Sequence, residues 1–290
     1  MPEYCLTIAG NVLIYSIDPG ELKTSVVITT WNRRDMVVEA IDSVLAQVDP
    51  PDQVIVVDDG STDGTLSRLS HFCGRIDILA EAHRGVSAAR NRGLSAARFP
   101  WVAFLDSDDI WRPRKLERQK QRLAEKPGYW ICYTDEEWRR NGQFLNPRLR
   151  HRKFSGWIYL HCLPLCIISP SSVLVHRRVF ETVGAFDTAL PACEDYDLWL
   201  RVACSFPILF CPERLIVKRA GPWPQLSQQH SLDKYRIIAL AKMLHSGRLS
   251  EDQKQSTRGM LREKCRIYAQ GCRKHGRLRE QAWAKEMAEL

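Results

Sequence analysis

Three short apolar runs dominate the pattern of hydrophobic and polar positions in the first third of the chain. They cover 25–30 (SVVITT), 54–57 (VIVV) and 101–105 (WVAFL), and each runs directly into polar or acidic residues. Apolar runs of this length between turn signals are typical of strands buried on both faces of a sheet. A further strand is predicted over 76–79.

Helical spacing separates these runs. Between the first two strands, apolar residues recur at Val37, Ile41 and Val44, which predicts an amphipathic helix. Further helices are predicted over 86–98, opened by Gly85, and over 114–125. Alternating strands and helices with short loops indicate an α/β fold with a mostly parallel sheet flanked by helices.

From Trp130 onward the pattern is looser. It predicts strands over 130–134 and 167–175, a hairpin turn at Asn141-Gly142, short helices over 155–161 and 177–183, and a longer helix that begins near Asp195. After a Gly-Pro-Trp-Pro breaker at 221–224, only helical periodicity remains from about 231 to the end.

Composition and charge narrow the class of protein. The chain has 290 residues, of which 44% are hydrophobic and 26% charged, as expected for a globular protein. Ten cysteines without a CxxC pair argue against a zinc module or a disulfide framework and favour reduced thiols in the cytoplasm. The net charge of +8 favours anionic partners, and residues 241–290 carry 12 Lys/Arg against 6 Asp/Glu, a net of +6.

The carboxylates that follow two strands are the first candidates for chemistry. Asp59 follows the strand at 54–57, and Asp106, Asp108 and Asp109 follow the strand at 101–105. Ligands bind outside the carboxyl ends of strands in open α/β sheets, and closely spaced carboxylates are costly unless a cation lies among them. The pattern favours Mg²⁺ or Mn²⁺ completed by substrate phosphates; the alternative is an acidic surface turn at the start of a helix.

A second acidic pair, Glu194 and Asp195, lies near the predicted start of a helix. The positive end of a helix favours an ionised carboxylate, which can accept a proton as a general base. The alternative interpretation is an ordinary helix N-cap.

Five segments in order make the chain resemble a bacterial, cell-envelope type family 2 glycosyltransferase. They are SVVITTWNRRD (25–35), VIVVDDGSTDGT (54–65), HRGVSAARNRGL (83–94), FLDSDD (104–109) and GAFDTALPACEDYDLWLR (184–201). The resemblance covers roughly 23–220. It implies a Rossmann-like sheet that binds a nucleotide-diphospho-sugar, and transfer of the sugar with inversion.

The resemblance also implies roles for the residues on the donor side. Thr29 and Trp31 are similar to the loop that faces the nucleoside, and Asp59 to the carboxylate that hydrogen-bonds the base. Arg84 and Arg90 are the expected cations near the ribose and diphosphate.

For the reacting centre, the resemblance implies that Asp106 and Asp108, with Asp109 adjacent, bind Mg²⁺ or Mn²⁺, and that Asp106 also faces the donor. Asp195 corresponds to the catalytic base, and Glu194 to a residue that holds the acceptor or its loop.

One departure from the family pattern concerns a histidine that many relatives carry shortly after the last strand. Residues 219–227 contain none, and Pro222 occupies the expected place. His230 is the nearest substitute, so it is a further candidate metal ligand.

These interpretations divide the chain into an N-terminal extension (1–22), a catalytic domain (23–220) and a basic helical C-terminal extension (221–290). The catalytic domain has a donor half (23–125) and an acceptor half (126–220). Residues 4–17 are too short and polar to span a bilayer and lack a preceding basic region, so an edge strand or hairpin is expected rather than a signal peptide. The expected location is the cytoplasm, with peripheral contact between the basic tail and an anionic membrane.

The expected partners are a nucleotide-diphospho-sugar donor and a glycan or lipid-linked acceptor. Three alternatives remain open. A nucleotidyltransferase predicts a glycine-rich loop after the first strand, which TTWNRRD lacks. A nucleic-acid binder predicts a basic and aromatic module, whereas the excess charge lies in the tail. A catalytically degenerate nucleotide-sugar binder would retain the fold without activity.

Overall fold

A computed structural model describes residues 6–9, 12–15, 22–146 and 149–290. The described part of the catalytic domain is built on one nine-stranded sheet flanked by helices, which confirms the α/β class. The strand order is β5-β4-β3-β6-β10-β8-β11-β7, with β9 paired to β8; the eleven strands of the described residues are β1 (Leu6–Ala9), β2 (Val12–Tyr15), β3 (Thr24–Thr30), β4 (Gln53–Asp59), β5 (Asp77–Glu81), β6 (Trp101–Asp106), β7 (Ile110–Trp111), β8 (Ile131–Arg140), β9 (Gln143–Leu145), β10 (Val173–His176) and β11 (Leu209–Ala220).

The first half of the sheet is parallel, as predicted. Strands β3, β4, β5 and β6 pair in parallel, so their carboxyl ends lie at one edge. Both β3 and β4 are buried along their whole length, which explains their nearly uninterrupted apolar sequences.

The second half of the sheet is mixed. Strand β10 runs antiparallel to β6 and β8, and β11 runs parallel to β8. The prediction of one strand over 167–175 is wrong in its first part, because Pro170 opens a 3-10 turn at Pro170–Ser172 and β10 begins only at Val173. Sequence analysis assigned no strand to 209–220, where β11 lies.

Helices cover both faces of the sheet. Helices α1, α2 and α4 contribute to the core on one face, and α3 together with α5 to α10 contributes to the core on the other. The helices of the described residues are α1 (Arg34–Leu45), α2 (Thr65–Leu69), α3 (Val86–Ala96), α4 (Lys115–Glu125), α5 (Tyr159–Cys162), α6 (Arg178–Val183), α7 (Glu194–Ser205), α8 (Leu232–His245), α9 (Glu251–Lys274) and α10 (Leu278–Met287).

The C-terminal helices α8, α9 and α10 share a core with the acceptor half. Ile237, Leu240 and Leu261 belong to the same buried cluster as Trp199 of α7. The hydroxyls of Tyr159 and Thr257 are hydrogen-bonded at 2.8 Å. The 221–290 extension is therefore packed against the catalytic domain rather than hanging from it.

The N-terminal extension contains the hairpin expected there, because β1 and β2 pair antiparallel in a sheet of their own. All nine cysteines of the described part are free thiols. No helix within the described ranges combines the length and apolar character needed to cross a bilayer.

Candidate active site

The candidate site lies at the carboxyl edge of the parallel strands. Thr29 of β3 pairs in register with Asp106 of β6, and Thr30 pairs with Asp58 of β4. Asp59 at the end of β4 and Asp106 at the end of β6 therefore lie at the same edge of the sheet, with β3 between them, as predicted. Thr29 is buried, so it supports this edge from within the sheet.

An aromatic stack and a buried carboxylate lie where the nucleoside was expected from the sequence. The rings of Trp31 and His83 are stacked with centroids 4.2 Å apart, and Trp31 is 44% exposed. Asp59 accepts hydrogen bonds from the backbone N–H groups of Arg84 (2.8 Å) and Gly85 (2.9 Å), and its Oδ2 lies 2.8 Å from His83 Nδ1. The structure thus brings Trp31, Asp59 and Arg84 together and adds His83, which sequence analysis missed.

The Arg84 guanidinium is exposed, with only a 3.8 Å pair to Glu81, so it remains available to an anion. His83 opens the HRGVSAARNRGL segment, and its position directly before Arg84 was the only signal for it in the sequence.

Arg90 links the two halves of the site. Its side chain is almost fully buried, and its terminal nitrogens donate to Asp106 Oδ1 (2.6 Å) and Glu194 Oε1 (2.7 Å). Burial alone would lower the pKa of the guanidinium, but the charges of Asp106 and Glu194 raise it above its ordinary value. The expectation that Arg90 meets the diphosphate stays a prediction, since both terminal nitrogens already bind carboxylates.

Glu194 is buried in the first turn of α7 beside Asp195. Burial, and then the charge of Asp195, raise the pKa of Glu194 above its ordinary value, while Arg90 opposes the shift. One oxygen of Glu194 is thus held by Arg90, and the expected contact of Glu194 with the acceptor or its loop stays a prediction.

Two of the predicted metal-binding carboxylates keep an oxygen free. Asp108 Oδ2 accepts from Gln225 (2.9 Å) and from the Trp223 indole (3.3 Å). In the described part of the chain, neither Asp106 Oδ2 nor Asp108 Oδ1 accepts a hydrogen bond. These two oxygens fit a hard divalent cation that keeps most of its shell for phosphate and water.

Asp109 and His230 differ from that pair. Asp109 is buried, and its two oxygens accept from Ser171 Oγ (2.6 Å) and from the backbone N–H of Arg219 (3.2 Å). Burial, and then the charge of Asp108, raise its pKa well above the ordinary value. His230 is exposed, and the residues described include no group of three or more His, Cys, Asp or Glu arranged to hold a metal ion. Metal roles for Asp109 and His230 stay predictions.

Asp195 lies in the first turn of α7, as predicted, and faces a pocket on the acceptor side. Its Oδ1 accepts from the Tyr196 backbone N–H at 2.7 Å. The pocket is also lined by Glu136 and Trp138 of β8 and by Lys218 of β11. Sequence analysis missed Glu136 and Lys218, because no motif marks them.

The comparisons with known proteins agree with this geometry. A family model described as glycosyl transferase family 2 matches residues 25–184, more than half of the chain. An uncharacterized glycosyltransferase of Rickettsia typhi is 29% identical over 200 residues, covering 67% of this chain and 63% of that protein. This chain therefore spans under two thirds of the length of that relative.

Other relatives have a higher identity over a shorter stretch of the chain. TuaG of Bacillus subtilis, a putative teichuronic acid biosynthesis glycosyltransferase, is 40% identical over 107 residues (35% of this chain, 42% of TuaG). The succinoglycan biosynthesis protein ExoO of Rhizobium meliloti is 42% identical over 108 residues (37% of this chain, 31% of ExoO).

Among solved structures, S. aureus TarS in complex with UDP-GlcNAc aligns with a TM-score of 0.67 at 18% identity, covering 83% of this chain and 71% of TarS. At that identity the likeness shows the shared fold. The family model, which matches more than half of the chain, shows that the chain belongs to glycosyl transferase family 2.

Proposed function

We propose that this chain is an inverting glycosyltransferase of cell-envelope polysaccharide synthesis. It would move a sugar from a nucleotide-diphospho-sugar to a hydroxyl of a glycan or lipid-linked acceptor. The observation that carries the proposal is the Arg90 bridge, since one guanidinium joins Asp106 on the donor side to Glu194, the neighbour of Asp195. Through Arg90, Asp106 is connected to the first turn of α7, which carries the candidate base Asp195.

For the donor, the exposed face of the Trp31–His83 stack is suited to a nucleobase. The exposed guanidinium of Arg84 would bind the phosphates, and Asp59 accepts a hydrogen bond from the Arg84 backbone N–H. The fold likeness to TarS, whose structure contains UDP-GlcNAc, makes uridine nucleotides the first donors to test.

For the metal, Asp106 Oδ2 and Asp108 Oδ1 would hold Mg²⁺ or Mn²⁺ together with phosphate oxygens of the donor. When bound, such a cation neutralises the charge that develops on the leaving diphosphate. Arg90 keeps Asp106 oriented, and Gln225 and Trp223 orient Asp108.

Asp195 would act as the general base. The start of α7 favours its ionised form, and the acceptor hydroxyl gives its proton to this carboxylate as its oxygen bonds to the anomeric carbon. The bond between that carbon and the diphosphate oxygen breaks, and the electron pair leaves with the nucleoside diphosphate. A single displacement of this kind inverts the anomeric configuration and needs no covalent nucleophile.

For the acceptor and its location, the names of TuaG and ExoO point to envelope polysaccharides. Exposed arginines recur along α9 at Arg258, Arg262 and Arg266, which suits peripheral contact with an anionic membrane. Cosedimentation with anionic liposomes at low salt tests that contact, and protein that stays in the supernatant would refute it.

Thermal unfolding with nucleoside diphosphates, each with and without Mn²⁺, tests the donor site. A ligand that binds only the folded state raises the melting temperature with the logarithm of its concentration over its Kd. We expect a Mn²⁺-dependent rise with one nucleoside diphosphate. No shift with any of them would contradict the proposal.

The Asp195→Asn variant tests the base within the same assay. It should keep the wild-type shift with nucleoside diphosphate and Mn²⁺, because Asp195 lies on the acceptor side, and should lose transfer by about a hundredfold or more. Near-normal turnover by Asp195→Asn would refute the assignment.

A further inference from the structure

A small pocket lies beside Asp195. Its cavity volume is about 90 Å³, well below the ~300–1,000 Å³ of pockets that enclose a drug-sized ligand, so it has room for a small ligand or for one end of a larger one. Its walls combine apolar side chains, such as Ile167 and Ile168, with an indole and four charged groups. Such a mixture suits a small polar molecule with an apolar face.

Most polar atoms of the pocket wall are already paired with one another. Glu136 Oε1 accepts from Lys153 Nζ (2.9 Å) and Ser169 Oγ (2.7 Å), and Glu136 Oε2 accepts from the Trp138 indole N–H (2.7 Å). Both carboxylate oxygens and all three donors are therefore engaged. This side of the pocket is a fixed wall.

Lys218 is the exception. Across the described ranges, its ammonium donates no hydrogen bond and has no carboxylate oxygen within 4.0 Å. Burial alone would lower the pKa of Lys218, but nearby carboxylates raise it above its ordinary value, so the group stays charged at neutral pH. These carboxylates belong to Glu136, Asp109, Asp106 and Asp195.

The uncommitted groups of the pocket are complementary to a sugar. Lys218 offers only donors, and the Asp195 carboxylate, which accepts from the Tyr196 N–H and lies beside the Cys166 thiol, offers only acceptors. A ring with two hydroxyls satisfies both, since one oxygen accepts from Lys218 while the other hydroxyl donates to Asp195.

The charged side chains that line the pocket favour a neutral ligand. Lys153 and Lys218 contribute two positive charges, and Glu136 and Asp195 contribute two negative ones, so the lining has no excess charge to balance an ionised ligand. A carboxylate or phosphate placed beside Asp195 would be repelled by that carboxylate, whereas a neutral hydroxyl group would not.

We propose that Lys218 positions the acceptor: its ammonium binds one hydroxyl of a neutral sugar while a second hydroxyl of that sugar gives its proton to Asp195. This inference rests on the proposed function and narrows its acceptor to a neutral sugar with at least two free hydroxyls. In this arrangement the Lys218 ammonium contacts the acceptor. Loss of Lys218 should therefore affect transfer to a sugar more than hydrolysis of the donor, in which water replaces the acceptor.

The test separates donor hydrolysis from sugar transfer. Purified full-length protein with Mn²⁺ and a panel of uridine diphosphate sugars is assayed without acceptor, then with methyl hexosides, methyl hexuronides or 1-propanol. Wild-type protein should transfer to a methyl hexoside in preference to a hexuronide or a simple alcohol. Lys218→Met should lower kcat/KM for the hexoside roughly 10- to 100-fold more than it lowers the rate of donor hydrolysis.

Two further variants complete the design. Lys218→Arg keeps the charge but presents its donors in a planar fork, so it should fold with wild-type stability and lose part of the transfer. Lys120→Met removes the same charge from a lysine that pairs with Asp49 near the amino end of β3, and should change neither rate.

Three sets of results would overturn the role of Lys218, the acceptor class or the proposed function. Equal losses of hydrolysis and transfer in Lys218→Arg, or no loss of transfer in Lys218→Met, would overturn the role of Lys218. Wild-type protein that hydrolyses a donor but prefers hexuronides would overturn the acceptor class and leave the proposed function intact. Protein that neither hydrolyses any donor nor binds any nucleoside diphosphate would overturn the proposed function, and this inference with it.

Discussion

The packing of α3 against β3 depends on the missing side chain of Gly93. A Cβ atom at Gly93 would lie 2.2 Å from Val27 Cγ1 and 3.1 Å from Val27 Cγ2. Val27 is fully buried in the middle of β3, so it has no free space into which it can turn. Gly93→Ala should therefore destabilise the protein even though alanine favours helices.

The expected magnitude follows from two opposing effects. Alanine gains roughly 1 kcal/mol over glycine in a helix interior. Carbon atoms pack at about 3.5–4.0 Å, so the helix and strand must separate by more than an ångström, and overpacking of this kind costs about 1–3 kcal/mol or more. A contact of 2.2 Å belongs at the upper end of that cost, about 3 kcal/mol, so we expect a net loss of about 2 kcal/mol in the free energy of unfolding, with Tm falling roughly 2–4 °C per kcal/mol.

The same displacement should reach the active site. Arg90 lies one helical turn before Gly93 on α3, and it holds both Asp106 and Glu194. Moving α3 away from the sheet lengthens those contacts, so nucleoside diphosphate binding and transfer should fall together with stability.

Matched controls isolate the clash from helix propensity. Gly259→Ala and Gly271→Ala lie in α9, where a Cβ atom would have no heavy atom within 4 Å, and should raise stability by roughly 0.5–1 kcal/mol. In the double variant Gly93→Ala/Val27→Ala, the loss should be smaller than the sum of the single losses, because the contacting methyl groups are gone. Chemical denaturation and thermal melting measure all five variants, including the single variant Val27→Ala, and a Gly93→Ala protein as stable as the wild type would refute the reasoning.

Three further substitutions test other parts of the molecule. Lys115 is fully buried against the Trp111 ring, and burial lowers its pKa well below the ordinary value. Between this lowered pKa and about pH 10.5 the unfolded chain binds the proton and the folded chain does not, so wild-type stability should rise with pH in that range. Lys115→Met should therefore be more stable than the wild type at pH 7, by a margin that shrinks toward pH 10. A margin independent of pH in urea titrations would contradict this. Arg201→Met should cost about 1–3 kcal/mol, because Asp197, 1% exposed, loses its 2.7 Å partner Arg201 while it keeps Lys242 at 2.6 Å, and the carbonyls of Val183 and Ala185 lose a donor; an unchanged free energy of unfolding in the same titrations would argue against it. Asp108→Asn should weaken the Mn²⁺-dependent thermal shift by a nucleoside diphosphate at least tenfold in apparent Kd, and an unchanged shift would remove Asp108 from the metal site.

The donor half of the fold was predictable because its information is local. Strands β3, β4 and β6 are buried on both faces, so each appears as an apolar run of the right length, and the loops between them are short. The carboxylates Asp59 and Asp106 follow these runs directly. Parallel pairing then brings them to one edge without further information.

The acceptor half was less predictable because its pairing is not local. Strand β11 pairs with β8 across about eighty residues, and its register shifts twice between Cys211 and Ile216. Those irregularities decide which side chains of β11 share a face with Glu136 and Trp138 of β8. Nothing in the segment LIVKRA indicates that Lys218 lies opposite Trp138, so the residue that completes the pocket was not found from the sequence.

The Arg90 bridge shows why the site's parts cannot vary independently. Buried ion pairs contribute little net stability compared with apolar packing, yet losing one partner leaves an uncompensated buried charge. Arg90 has two such partners, and its planar fork satisfies both at once, which the single ammonium of a lysine would not reproduce. Asp106 and the start of α7 are therefore held at one fixed separation. A substitution that adjusts the donor carboxylate also moves the helix that carries Asp195, so donor and acceptor geometry must change together.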